Sequence, residues 1–83
     1  MVTLSHELTS RERGLIAGHA YASQYEDDRA KLRPIVMART ADAVRANIDS
    51  TVIERAGFDD SVAFWSGFAH GVAAFLVETG AAR

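Results

Sequence analysis

The 83-residue chain contains no cysteine. Disulfide frameworks, thiolate nucleophiles and cysteine-ligated zinc or iron–sulfur centres are therefore excluded. This absence fits a reducing compartment. Residues 1–7 also lack the basic stretch followed by an apolar stretch that marks a secretory signal. We therefore expect a cytoplasmic protein.

The chain also lacks a large excess of charge of either sign. Nine Lys and Arg residues oppose eleven Asp and Glu residues, which gives a formal net charge of −2. Such a charge does not draw phosphate to the whole surface, so it argues against a strongly basic nucleic-acid binder and leaves room only for a local basic patch. Hydrophobic content of 48% and charged content of 24% are those of a folded domain.

No uncharged run is long enough for a membrane span. Residues 61–77 contain no Asp, Glu, Lys or Arg. As a helix they would extend about 25 Å, whereas the hydrocarbon core is about 30 Å thick. Ser66, His70 and two glycines also lower the hydrophobicity of this run. We expect a buried core helix and no membrane insertion.

Alanine and arginine are abundant instead. Fifteen alanines favour helix, and eight of the nine basic residues are arginine. Both amino acids have GC-rich codons, so the composition indicates a bacterial genome of high GC content or a phage of such a host.

The first predicted helix covers about residues 10–32. Thr9 and Glu12 form a T-x-x-E capping box at its start. Pro34 disfavours helical geometry in the residue before it, which predicts an end near Arg33. A second interpretation breaks the helix at residues 26–28, where an aspartate caps a new helix. The sequence does not separate the two.

Two more helices are predicted, over about residues 35–55 and 60–78. Gly57 ends the second, Asp59 or Asp60 caps the third, and Gly80 stops it. The apolar face of the second helix consists of Met37, Ala41, Val44, Ile48 and Val52. We therefore expect an all-α protein, with residues 1–83 forming a single helical domain. Its architecture is a small three-helix bundle, closed on its own or completed by dimerisation, since a chain this short has a marginal core.

Small residues recur every four positions in the first and third predicted helices. They include Gly14, Gly18, Gly67 and Gly71. A glycine inside a helix costs about 1 kcal/mol relative to alanine, so close helix packing must compensate for it. Two interpretations follow: the first and third helices contact each other, or one of them contacts another chain.

Aromatic residues are concentrated in and just before the third helix. The set is Phe58, Phe64, Trp65, Phe68 and Phe75. The last four project over more than half of the helix circumference, so we expect at least one ring to be exposed in a monomer and to serve as an interface anchor. The alternative is that all of them are core. The candidate interface residues are Phe64, Trp65, Gly67, Phe68, Gly71, Phe75, Gly14 and Gly18.

Catalytic and metal-binding patterns are not found. His6, His19 and His70 are scattered, and we expect each to be structural. His19 and His70 would approach each other if the first and third helices pack together. The acidic residues at 26–28 and 59–60 suit turns and caps. We therefore predict a protein that is not an enzyme and uses no cofactor and no metal.

Residues 52–68 contain a pattern of apolar, glycine and acidic positions formed by Ile53, Gly57, Phe58, Asp60, Phe64 and Phe68. This pattern resembles the second helix–turn–helix of AraC-type transcription activators. The resemblance covers about seventeen residues and implies a similar angle between two helices. Where that family carries basic residues for DNA, this sequence has Ser66 and Ala69, and the family's Ser-Tyr pair is replaced by Val62-Ala63. The resemblance implies DNA binding, which is the alternative function.

The leading prediction is a small non-enzymatic protein–protein interaction module. It would be a bacterial or phage accessory protein that binds and modulates a larger protein and also self-associates as a dimer. The glycine stripes, the number of aromatic rings and the marginal core support this interpretation.

Overall fold

The computed structural model describes residues 8–58 and 61–80. Within these ranges the chain forms α-helices and one 3₁₀ turn, Arg29–Lys31, and no strand. The helices are α1 (Ser10–Ser23), α2 (Arg33–Met37), α3 (Ala41–Ala46), α4 (Ser50–Ala56) and α5 (Val62–Glu78). The predicted all-α class is confirmed, but the number and lengths of the helices differ from the prediction.

Helix α1 begins at the predicted capping box. The Thr9 N–H donates to Oε1 of Glu12 at 2.7 Å, and the Glu12 N–H donates to Oγ1 of Thr9 at 3.1 Å. The helix ends at Ser23, so the predicted extent of 10–32 is wrong. Three consecutive acidic residues follow at 26–28. The partial negative charge of a helix C-terminus repels carboxylates, so these residues disfavour a longer helix. The interpretation with a break near 26–28 is therefore closer to the structure.

Pro34 opens a helix here and does not end one. It occupies the first turn of α2, where a missing N–H leaves no hydrogen bond unmade. The preceding 3₁₀ turn brings Leu32 inward, and both Leu32 and Ile35 are fully buried. The segment between α1 and α2 therefore places Leu32 in the core, and the start of α2 adds Ile35.

The predicted helix 35–55 is three short helices. Thr40 caps α3 by accepting from the Ala43 N–H at 3.1 Å, and Asp49 accepts from the Thr51 N–H at 2.8 Å before α4. Asn47 donates from its side chain to the Ala43 carbonyl at 2.8 Å. Such side chains compete with helical hydrogen bonds and break the long helix twice. The five apolar positions of the predicted face divide accordingly: Val44 and Ile48 are buried, Ala41 and Val52 are half-buried, and Met37 is exposed.

Helix α5 begins at Val62, two residues later than predicted. Its N-cap is Ser61, whose hydroxyl accepts from the Phe64 N–H at 3.1 Å, and the predicted caps Asp59 and Asp60 lie outside the described residues. The two glycine stops are confirmed. Gly57 has φ 64° at the end of α4, and Gly80 has φ 77° after α5. Both are left-handed conformations that glycine adopts without steric cost.

Helix α5 is the centre of the fold and packs against α1, α2 and α3. It runs parallel to α1, because contacts between the two helices advance in the same direction along both. The buried core consists of Tyr21, Ala22, Leu32, Ile35, Val44, Ile48, Phe64, Trp65, Phe68, Val72 and Phe75. None of the helices in residues 8–58 and 61–80 combines the length and the apolarity needed to cross a membrane.

Candidate functional site: the groove beside α5

The aromatic interface candidates lie in the core. The exposed fractions of Phe64, Trp65, Phe68 and Phe75 are 2%, 2%, 0% and 7%. The expectation that one of these rings is exposed in a monomer is therefore wrong. Helix α5 has neighbours on two sides, since α1 covers one face and α2 and α3 cover another, so a wide aromatic arc is buried within one chain.

Phe58 completes this aromatic cluster from the turn after α4. Its ring centroid lies 5.2 Å from Phe64, 5.9 Å from Trp65 and 5.8 Å from Phe68. Separations of this size are typical of edge-to-face and tilted aromatic pairs, which stabilise a core beyond simple area burial. The cluster therefore anchors the α4–α5 connection and offers little surface to a partner.

The four glycines form a contact between α1 and α5, which we call the seam (Gly14, Gly18, Gly67 and Gly71). A Cβ on Gly14 would overlap the carbonyl of Phe64, and one on Gly18 would overlap that of Phe68. A Cβ on Gly67 or Gly71 would overlap the α1 backbone in the same way. The intramolecular interpretation of the glycine stripe is therefore confirmed, because backbone fills the space beside every glycine of the seam.

Polar side chains bridge the seam along its exposed edges. Nη2 of Arg11 donates to Nδ1 of His70 at 2.7 Å, and Nε2 of His19 lies 2.9 Å from Oε1 of Glu78. The guanidinium is always a donor, so Nδ1 of His70 accepts and the ring carries its proton on Nε2. The His19 ring also packs edge-on against Phe75, with centroids 5.5 Å apart.

The two described histidines therefore have separate partners across the seam. His6 lies outside the described residues. In residues 8–58 and 61–80, no group of three or more His, Asp or Glu side chains is arranged to hold a metal ion.

A groove remains open beside α5, between that helix and the α2–α3 segment. Its volume is about 540 Å³. It is lined by Val36, Ala38, Arg39, Thr40, Ala41, Asp42, Val44, Val62, Ser66, Ala69, His70 and Ala73. The α5 members of this lining recur at helical spacing and lie on a different face from the seam glycines.

The groove has apolar walls and a floor of small residues. Val36 on α2 is 39% exposed and Val62 at the start of α5 is 74% exposed, so two branched side chains are left partly or largely in water. Ala69 and Ala73 form part of the α5 side. Because alanine ends at Cβ, Ala69 and Ala73 leave the space between the two walls open.

The charged groups of the groove are few. Arg39 and Asp42 line it, and His70 joins it to the Arg11 guanidinium. No described residue forms a hydrogen bond or an ion pair with the Arg39 guanidinium. Asp42 lies in the first turn of α3, where a carboxylate complements the N–H groups of the helix start. Within the described part of the chain, Arg39 is thus the less compensated of the two charged lining residues.

Sequence reasoning missed the α2–α3 side of the groove. A continuous helix over 35–55 would contain no break at residues 38–40, whereas in the structure the groove is lined by residues on both sides of that break. The signal that a break exists is Thr40 followed by Asp42, an N-cap residue with an acidic residue in the first turn.

Helix α4, Gly57 and α5 follow one another in helix–turn–helix order. Of the residues shared with the AraC-type pattern, Phe64 and Phe68 are core, and Asp60 lies outside the described residues. The α5 sequence contains no Arg or Lys, so the helix in the position of a recognition helix presents no cation of its own to phosphate.

Fold and groove together define an all-α protein with an open, largely apolar groove beside its longest helix. No protein-family model, no curated protein and no solved structure matches the chain.

Proposed function

We propose that this chain is a non-enzymatic protein-interaction module that binds a segment of a larger protein in the groove. The observation that carries the proposal is the pair of exposed valines facing an open volume of about 540 Å³. Exposed apolar surface of this kind is typical of a binding site. The proposal keeps the predicted class of function and moves its surface from the buried aromatic rings to the groove.

The polar groups of the groove support a binding role over catalysis. Ser66 and His70 both line it, one helical turn apart. The Nδ1 atom of His70 accepts from Arg11, and no hydrogen bond joins His70 to Ser66 within the described residues. A nucleophile and base acting together would need that hydrogen bond, or one formed on closure around a substrate.

A matched pair of variants on α5 tests the proposal. Ala73 lines the groove, whereas Ala63 is exposed and lies outside it. Ala73→Trp fills the groove, and Ala63→Trp adds the same side chain elsewhere on the helix. Tagged wild type and both variants are used to isolate partners from a bacterial host lysate, with and without nuclease, and circular dichroism checks that each variant is folded.

We expect one stoichiometric protein to bind wild type and Ala63→Trp after nuclease treatment, and to be lost with Ala73→Trp. If the partner binds the Ala73→Trp variant as well as wild type, its interface lies outside the groove and the proposal is contradicted. Capture that disappears with nucleic acid would instead favour the helix–turn–helix alternative. That alternative predicts salt-dependent binding to duplex DNA, and no binding at low salt would eliminate it.

Self-association is a second part of the proposal. Leu15, Ile16 and Val77 are exposed apolar side chains on the two seam helices. Their burial between two copies would add apolar contact to a small core. Sedimentation equilibrium should show a dimer that Ile16→Glu weakens. A wild-type protein that stays monomeric at the highest soluble concentration would exclude this part of the proposal.

A further inference from the structure

Two histidines join α1 to α5 at different positions along the seam, and their rings take part in opposite ways. Near the start of α1, Nδ1 of His70 accepts from Nη2 of Arg11 at 2.7 Å. At the end of α5, Nε2 of His19 lies 2.9 Å from Oε1 of Glu78. We propose that a fall in pH from about 8 to about 5.5 weakens the first contact and strengthens the second, so that the seam is then held mainly at its C-terminal end.

The Arg11–His70 contact requires a neutral imidazole. A guanidinium only donates hydrogen bonds, so Nδ1 of His70 must supply a lone pair. Protonation turns Nδ1 into a donor and places two cations against each other. The contact therefore stabilises the seam at high pH, and this contribution is lost as the ring takes up a proton.

The His19–Glu78 contact gains from the same change. A neutral ring donates from Nε2 to the carboxylate, and a protonated ring adds the attraction of opposite charges to that hydrogen bond. Glu78 is the last residue of α5, where the partial negative charge of the helix C-terminus also favours a cation. The two side chains are 41% and 62% exposed, so the gain is that of a solvent-screened pair.

The helices that carry the two histidines add no other charge close to either ring. Residues 15–23 of α1 and 66–74 of α5 contain no Asp, Glu, Lys or Arg. Burial raises the pKa of Tyr21 to about 12, so its hydroxyl stays neutral over this pH range. Glu12 and Arg13 lie nearer the start of α1 and bind backbone groups there.

The elements packed against α5 present two more charges to His70. Arg39 and Asp42 line the groove with it and carry opposite charges, which offset each other. Arg33 of α2 and Arg45 of α3 do not line the groove. The groups that determine the two responses are therefore the bridging partners themselves. Protonation of His70 also adds one net positive charge to the groove lining.

Thermal unfolding of the full chain at about pH 8 and about pH 5.5 tests the proposal. Arg11→Met removes the donor and the charge of the first contact, and Glu78→Gln removes the charge of the second while it keeps an acceptor. Arg29→Met and Glu54→Gln are the matched controls, because they make the same changes at exposed residues of the 3₁₀ turn and α4. The controls measure the effect of net charge alone.

The two seam variants should respond to pH in opposite directions. We expect Arg11→Met to lower the unfolding temperature by about 1 to 5 °C at the higher pH and by less, or not at all, at the lower pH. Glu78→Gln should lower it by about 1 to 5 °C at the lower pH and by less at the higher pH. The proposal is overturned if either variant changes no more between the two pH values than its control does.

Side-chain ¹⁵N spectra of the wild-type histidines give a second measurement that needs no variant. At about pH 8, His70 should carry its proton on Nε2, and its ring should show nuclear Overhauser contacts with the Arg11 side chain. Those contacts should disappear as the His70 ring is protonated, whereas contacts of His19 with Glu78 should persist. A proton on Nδ1 of neutral His70, or Arg11 contacts that survive protonation of the ring, would overturn the proposal.

Discussion

Two faces of α5 carry small residues four positions apart, and they differ in what fills the space beside them. Gly67 and Gly71 meet the α1 backbone in the seam, whereas Ala69 and Ala73 border an open groove. At 3.6 residues per turn the two pairs lie on roughly opposite sides of the helix. One face is therefore closed by α1, and the other borders open space.

The difference shows what glycine and alanine each allow. Without a Cβ, a helix approaches another until backbone touches backbone, and the seam leaves no room for a side chain. With a Cβ, the backbones stay apart by about a side chain's width. In this chain the glycine stripe marks a contact completed between α1 and α5, whereas the alanine stripe borders an open groove.

The largest loss of stability is expected from a substitution in the core, which lies between the seam and the groove. Trp65 is 2% exposed and packs on Phe58 and Phe68. Trp65→Ala should lower the free energy of unfolding by about 3 to 5 kcal/mol, since it removes a large buried ring. Urea denaturation followed by circular dichroism measures the loss. A folded variant with near-wild-type stability would mean that Trp65 serves an interface after all.

High pH should destabilise the fold near the C-terminal end of α1, where Tyr21 lies next to the seam. Burial, followed by the neighbouring Tyr25 and Asp49, raises the pKa of Tyr21 to about 12. The Tyr21 ring also packs against Phe68, whose backbone meets Gly18. The pKa of Tyr21 is higher in the folded chain than in the unfolded chain, so below about pH 10 its titration leaves the free energy of unfolding unchanged. As pH rises through about 12, the free energy of unfolding falls by about 2 to 3 kcal/mol.

Thermal unfolding over this pH range, with Tyr21→Phe as control, measures that loss. Tyr21→Phe removes the titrating hydroxyl and keeps the ring. The variant should lose less stability than wild type between about pH 10 and 12. Equal losses in both proteins would assign the alkaline effect to other groups and contradict the prediction.

The seam is tested by whether Gly18→Ala raises or lowers the free energy of unfolding. Helix propensity predicts that Gly18→Ala stabilises α1 by about 1 kcal/mol, whereas overlap with the Phe68 carbonyl predicts a net loss of about 1 to 3 kcal/mol. We expect the loss, measured by urea denaturation. Gly57→Ala is the control, since its Cβ meets nothing within 4 Å and its cost of about 1 to 2 kcal/mol arises from the left-handed φ. A stabilised Gly18→Ala variant would break the distinction between seam and groove.

The smallest effect is expected in the groove. Ala73→Leu adds more atoms than Gly18→Ala does, yet the space beside Ala73 is open. We therefore expect a change in the free energy of unfolding within about 0.5 kcal/mol, together with weaker binding of the groove partner. A cost comparable to that of Gly18→Ala would show that the groove is packed as tightly as the seam.

Local signals predicted the start of α1, the end of α4 and the end of α5. The Thr9–Glu12 capping box, the Gly57 stop and the Gly80 stop involve residues within one turn of each other, and the structure contains all three. The glycine stripes correctly indicated a close helix contact. The sequence left open whether that contact was internal, because no local pattern specifies the partner.

The interruptions of the second helix were not predicted, because regular apolar spacing continued across them. Residues 35–55 keep a helical repeat of apolar positions, while Thr40 and Asp49 bind backbone N–H groups and restart the chain. The groove depends on the first of these interruptions. Thr40 and Asp42 are the local signal for this interruption. That signal competes with the apolar spacing, and tertiary packing decides which of the two prevails.

The parallel direction of α1 and α5 has a consequence for how the chain folds. Arg11 and His70, which meet across the seam, are 59 positions apart in sequence. Antiparallel neighbours joined by a short loop close such contacts early, whereas parallel neighbours must wait until the whole intervening segment has crossed back. Contact order in this protein is raised by the seam, so its folding rate should fall below that of an up-and-down helical bundle of the same length.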